Sequence, residues 1–127
     1  MTSRWTEDEL RSVDAAQEID IAPVRRNGAL RRPTPIWIVR VGDDIYVRAA
    51  YEANKGWHGV ARTSGQARIS TTGFERDVAI EDADDAVLDQ VDAAYRHKYG
   101  GYASIVDSIT DAEHRATTLR LTPREAG

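Results

Sequence analysis

Hydrophobic and polar positions alternate along this chain in short runs whose period changes repeatedly. Trp5-Thr6-Glu7-Asp8-Glu9-Leu10 reads as a helix start. Thr6 can cap, Glu9 can complete the capping box, and Trp5 can pack on Leu10 as a hydrophobic staple. The spacing predicts a helix over about residues 6–16, with Leu10 and Val13 facing inward. Glu18 to Ala22 alternates at period two and reads as a first strand, which feeds the basic loop Arg25 to Arg32. Pro33 and Pro35 keep the chain extended around Thr34 and remove two backbone donors.

Ile36 to Val41 is apolar on both faces apart from Arg40, so that strand is expected to be covered by core on one side and by a helix or partner subunit on the other. A Gly42-Asp43-Asp44 turn leads into Ile45 to Ala50, making the clearest β-hairpin of the chain. After the loop Tyr51 to Gly56, Trp57 to Arg62 reads as a short helical turn. Ala67 to Thr72 and Arg76 to Glu81 read as strands around a Gly73 turn. Asp84 caps a helix carrying Val87, Leu88, Val91, Ala94, Tyr95 and Tyr99 at helical spacing, and Gly100-Gly101 ends it. Tyr102, Ile105, Val106 and Ile109 mark a second short helix, and Ala116 to Thr122 a last strand stopped by Pro123.

About six short strands with helices inserted late favour an antiparallel barrel over a parallel sheet, because no long helix separates the early strands. The expected fold is therefore α+β, a single domain over residues 1–127, with the barrel over about 18–124. At 127 residues the chain is long enough for one core and not for two. It has no cysteine, which excludes disulfides, thiolate metal sites and thiol nucleophiles. The first residues lack an apolar signal core and no apolar run approaches membrane-spanning length, so a cytoplasmic location with no membrane partner is the simplest reading.

Net charge is −4, but its distribution says more. Residues 21–70 hold nine basic and three acidic side chains, and residues 75–114 hold three basic and eleven acidic ones. The acidic half would repel a phosphate backbone, so no nucleic-acid partner is expected. Arginine outnumbers lysine fifteen to two, which suits bidentate contact with phosphate or carboxylate. Arg25, Arg26, Arg31 and Arg32 gather on one loop, either as an anion site or as a solvated stretch paired with the acidic half.

The order RRNGALR, PTPIW, Gly-Asp-Asp, KGWHGVA and ATTLRLTPR, from about Ile21 to Arg124, resembles the split β-barrel flavin- and deazaflavin-binding proteins. Within them it is most similar to small deazaflavin-dependent nitroreductases and to a related bacterial family of unassigned function. The resemblance implies a homodimer that binds coenzyme F420 or FMN near the subunit seam. By position it implies phosphate contacts from Arg25, Arg26, Arg31 and Arg32. It implies ring or ribityl contacts from Thr34, Pro35, Ile36, Ala49 and Ala50, with Lys55, Gly56, Trp57 and Arg62 at the rim. The nitroreductase loop carries two threonines before its glycine, with serine and lysine around it. Here the stretch is Ala22-Pro23-Val24-Arg25-Arg26-Asn27-Gly28, with fewer hydroxyls for an anion.

Two readings of function remain. One is a flavin- or F420-dependent oxidoreductase of nitroreductase-like type, whose hydride chemistry belongs to the cofactor and needs no catalytic triad. The other is a non-catalytic module on the same fold that binds an anionic small molecule. Trp37 and Trp57 can flank a ring or belong to the core. His58, His97 and His114 lack metal-ligand spacing, so no metal is expected. His58, beside Trp57, can protonate a substrate or simply stand exposed as a polar side chain.

Overall fold

The protein is described here by a computed structural model covering residues 4–49 and 56–124. Helix α1, Glu7–Ala15, begins with the full capping box: Thr6 Oγ1 accepts from the Glu9 amide at 3.1 Å, and Glu9 Oε1 accepts from the Thr6 amide at 2.9 Å. Trp5 and Leu10 join the same core, and the Trp5 indole N–H donates to the Leu121 carbonyl at 3.0 Å, tying the helix start to the sheet.

Seven strands follow: β1 Ile19–Pro23, β2 Thr34–Ile36, β3 Ile38–Val41, β4 Asp44–Val47, β5 Gln66–Thr71, β6 Phe74–Asp82 and β7 Leu119–Pro123. Every pairing is antiparallel, in the order β2-β1-β5-β6-β7-β4-β3. The two outermost strands, β2 and β3, are consecutive in the chain. The run expected as one strand from Ile36 to Val41 is thus two strands that part at Trp37. Ile36 pairs with Ile19 on one side and Ile38 with Val47 on the other, so the sheet curls round and nearly meets itself. The result is a split antiparallel barrel with flanking helices.

Pleat alternation makes two cores from this sheet. Ile38, Ile45, Val47, Ile69, Val78, Leu119 and Leu121 fill the barrel with Ile19 and Ile21. Val39 and Tyr46 point outward, where α3 (Leu88–Tyr99) and α4 (Ala103–Ile109) cover them with Val91, Tyr95, Tyr99, Val106 and Ile109. That second layer is why β3 reads as apolar on both faces: the cover is a helix of the same chain. The 3₁₀ turn Asp85–Val87 leads into α3, with Asp84 Oδ1 accepting from the Ala86 amide at 2.9 Å.

The split is sealed by side chains. Ile38 turns its backbone to the open edge, where the Tyr99 hydroxyl lies 3.2 Å from both its amide and its carbonyl. Lys98 Nζ also donates to the Ile38 carbonyl, at 2.7 Å. A short helix the sequence did not announce, α5 (Ala112–Arg115), precedes the last strand, which starts at Leu119 rather than Ala116. Thr117 and Thr118 return their hydroxyls to the His114 and Arg115 carbonyls at 2.6 and 2.7 Å and hold the chain off the sheet there.

Candidate functional site

The basic loop folds into a finger that bonds mainly to itself. The Arg25 amide donates to the Ala29 carbonyl at 2.7 Å, and the Gly28 amide to the Arg25 carbonyl at 2.8 Å. Asn27 Oδ1 takes the Ala29 amide at 3.0 Å. Gly28 turns the corner at φ 87°, a left-handed angle that glycine adopts without a side-chain penalty. With its backbone satisfied internally, the loop points the Arg25, Arg26 and Arg32 side chains outward; all three residues are exposed.

Opposite the finger stands α2, Trp57–Ser64. Its buried face carries Trp57, His58 and Ala61, and its other face carries Gly59, Val60, Thr63 and Ser64. Between finger and helix runs an open groove of about 810 Å³, lined by Arg25, Arg26, Gly28, Gly56, Gln66 and that outer face. The Gln66 carbonyl accepts from the Val24 amide at 3.0 Å, so β5 fixes the distance between the two walls. At the helix start, Gly56 has φ 58° and no side chain among the described residues caps the first turn, whose amides have no helical partners. The Arg31 guanidinium packs there, 3.6 Å from the place where a Gly56 Cβ would stand. One guanidinium, that of Arg31, therefore meets the amides at the helix start, and Arg25 and Arg26 line the same groove.

Most arginines of the chain are spoken for. Arg40, Arg48, Arg62, Arg68, Arg76, Arg96, Arg115 and Arg120 all sit in ion pairs. Among the described residues, Arg25, Arg26, Arg31 and Arg32 have none. The loop is thus solvated, as one of the two readings had it, but among the described residues it is not paired with the acidic half.

The other expected contacts are distributed more widely. Thr34, Pro35 and Ile36 form β2 and pair with β1; Ile36 is buried in the barrel, and Pro35 borders a separate polar cleft with Glu18 and Asp20. Ala49 is buried, and its amide donates to Thr117 Oγ1 at 3.0 Å. Trp57 is a barrel-core residue, and Trp37 stacks on Tyr99 at the split. Arg62 forks onto Asp82, with Nε and Nη2 at 2.9 and 3.0 Å from the two carboxylate oxygens. Ala50 and Lys55 lie outside the described residues. Of the expected set, Arg25, Arg26 and Gly56 line the groove together, and Arg31 touches its helix end.

His58 corrects an expectation: it is 2% exposed, not a surface polar group. Its Nε2 donates to the Thr117 carbonyl at 2.9 Å, which leaves Nδ1 buried and without a partner. Burial pushes its pKa below the ordinary value of 6.5, and the Thr117 carbonyl opposes that only in part. Sequence reasoning also missed Gly59, Val60, Thr63, Ser64 and Gln66. The signal was present: Gly59 and Thr63, like Val60 and Ser64, are four apart on one helical face once α2 is extended beyond Arg62.

Arg48 is fully buried beside this region and has an unusually complete set of partners. Its guanidinium meets Asp92 Oδ1, Thr118 Oγ1 at 2.8 Å, and the Ile109 and Leu88 carbonyls at 3.0 and 3.2 Å. It also lies over the Tyr95 ring, 5.5 Å from the centroid. It fastens the end of β4 to α3 and to the turn before β7.

Comparison with known proteins places this architecture. A model of the family described as "Uncharacterized protein conserved in bacteria" (DUF2255) matches residues 9–121. No curated protein matches the chain by sequence. Among solved structures, the fold is similar to the heme storage protein HutZ from Vibrio cholerae, with a TM-score of 0.69 and 16% identity over 94% of this chain and 91% of that one. It is similar to a conserved hypothetical protein from Mycobacterium tuberculosis, with a TM-score of 0.59 and 15% identity over 98% and 82%. It is also similar to an FAD-binding protein from Mesorhizobium loti, with a TM-score of 0.58 and 11% identity over 100% and 94%. At these identities the likeness concerns the fold. Among the described residues, no helix is long and apolar enough to cross a membrane.

Proposed function

Because the chain belongs to the DUF2255 family of bacterial proteins, whose name carries no activity, we propose a function from the groove itself: it binds a flat, negatively tailed cofactor of the flavin or deazaflavin type, FMN or F420, and serves a nitroreductase-like oxidoreductase. The observation that carries this reading is a groove lined by Arg25 and Arg26 that reaches Gly56 at the start of α2, where the Arg31 guanidinium packs. Its size suits such a ligand, since small-molecule pockets span roughly 300–1,000 Å³. That one protein of this fold is an FAD-binding protein and another a heme storage protein supports the reading.

A bound flavin or deazaflavin supplies the hydride chemistry itself. The chain's part is to hold and orient. Arg25 and Arg26 would grip a phosphate or carboxylate tail, with Arg31 and the first amides of α2 completing its neutralisation. Gly56, Gly59 and Val60 offer backbone and apolar surface against which a ring can lie. A second copy of the chain is expected to pack beside the finger and α2, making a homodimer with the groove near its seam.

The alternative, a non-catalytic module for an anionic small molecule, draws on one observation: among the described residues, the groove lining contains no acid, no histidine and no tyrosine to move a proton. Titration with FMN and with F420, followed by fluorescence, and then assay for cofactor-dependent reduction of quinones and nitroaromatics, separates the two. Binding with turnover supports the oxidoreductase, and tight binding without turnover supports the module. Absence of binding at micromolar concentration ends the cofactor reading.

A further inference from the structure

Lys98 is one of two lysines in the chain and lies at the C-terminal end of α3. It borders a second pocket of about 210 Å³, with Asp14, Gln17, Tyr99 and Tyr102, which shares no lining residue with the arginine groove. Its Nζ donates to the Val13 carbonyl at 2.9 Å and to the Ile38 carbonyl at 2.7 Å, and lies 5.2 Å from the Tyr99 ring centroid. Among the described residues, no carboxylate lies within ion-pairing distance of it.

This arrangement does not require an ammonium. A neutral primary amine keeps two N–H groups, one for each carbonyl, and retains a lone pair that neither carbonyl can use. A lysine held by two carbonyls at a small open pocket is therefore satisfied in its nucleophilic form. Burial lowers its pKa from 10.5 to about 8, and Asp14, across the pocket on α1, opposes that shift. The hydroxyls of Tyr99 and Tyr102 and the Gln17 amide are the remaining polar groups on the rim. Gln17 Nε2 donates to the Tyr102 hydroxyl at 2.7 Å, leaving the Tyr102 proton free for an oxygen in the pocket.

We propose that Lys98 is an acylation site of this protein, taking a small acyl group from an acyl phosphate. The Nζ lone pair attacks the acyl carbon and a C–N bond forms. The bond from that carbon to the phosphate oxygen breaks, phosphate leaves with the electron pair, and the surplus amine proton passes to water. The resulting amide has one N–H where the amine had two, so one of the two bonds, to Val13 or to Ile38, is lost. Acylation thereby loosens the tie between α1, α3 and the edge of the split.

The test is to incubate the full chain, and the same chain unfolded in urea, with acetyl phosphate across pH 6.5 to 10.5 and to quantify acetylation at Lys98 by mass spectrometry. Near pH 8, acetylation of Lys98 is expected to be about tenfold faster in the folded chain than in the unfolded one, because an amine of ordinary pKa is almost wholly protonated there. The Lys98 rate should level off above about pH 8, and Asp14→Asn should move that plateau to lower pH. Amides in the last turn of α1 should exchange faster in the acetylated protein. Lys98 reacting no faster in the folded chain than in the unfolded one would overturn the proposal. So would a rate still climbing toward pH 10, or a plateau indifferent to Asp14→Asn.

Discussion

The Arg31 guanidinium packs against Gly56, its nitrogens 3.6 and 3.8 Å from the position a Cβ would take. This contact brings the basic finger to the start of α2. Gly56 holds φ 58° and ψ −136°, a combination strained for residues with a side chain. Gly56→Ala is expected to cost about 1–3 kcal/mol of stability. It should also weaken cofactor binding, because the added methyl disturbs the seat of Arg31. Urea denaturation and a binding titration on the same preparation measure both effects.

The finger arginines should act on ligand and not on fold. They are unpaired among the described residues, and the loop backbone is satisfied by its own hydrogen bonds. Arg31→Ala with Arg32→Ala should weaken binding about tenfold or more, since a hydrogen bond to a charged group contributes about 1.5–3 kcal/mol. The melting temperature should scarcely move. Arg25→Ala with Arg26→Ala should behave alike, and equal loss of binding and stability would assign the loop a structural role.

Arg48 predicts the opposite pattern. It is 1% exposed and bound to Asp92, Thr118 and two carbonyls. Asp92→Ala leaves that cation buried without its counter-ion and should cost about 3–5 kcal/mol. Arg48→Met, which removes the charge while keeping volume, should be markedly milder. Chemical denaturation of the two variants compares them directly.

His58 sets a pH window. Its folded pKa lies below 6.5, so the folded chain prefers the neutral ring. The stability this confers is complete above 6.5, declines as pH falls below that value, and is gone once pH drops through the folded pKa. The depressed carboxylates of Asp77, Asp82 and Asp111, each held down first by hydrogen bonds from Arg68, Arg62 and His114 respectively, act only below 3.8. Thermal melts from pH 7 to 5 should therefore show a slope that His58→Gln flattens. An unchanged slope would place the titrating group elsewhere.

Much of the fold was legible because local and global signals agree. The Thr6–Glu9 capping box, the Gly42-Asp43 hairpin and the Asp84 cap are written in a few neighbouring residues. The division at Trp37 was not, because nothing local distinguishes one buried strand from two that part to close a barrel. The break is set by β1 and β4 competing for the same stretch. The finger was legible from its arginines and Gly28. Its opposing wall was not, because small residues such as Gly59 and Thr63 carry no chemical signature until a helix places them on one face. His58 was misjudged for a related reason: the helix start at Trp57 was legible, but which face of so short a helix meets the core was not, and Trp57, His58 and Ala61 turn inward together.

The most direct measurement is fluorescence titration of the purified chain with FMN and with F420 at low salt, repeated with Arg25→Ala, Arg26→Ala and Arg31→Ala combined. Saturable binding at micromolar concentration or tighter to one of them, lost in the triple variant while its fold persists, is the result these contacts predict. A native chain that binds neither, or a triple variant that binds as well as the native chain, would contradict the assignment of the groove.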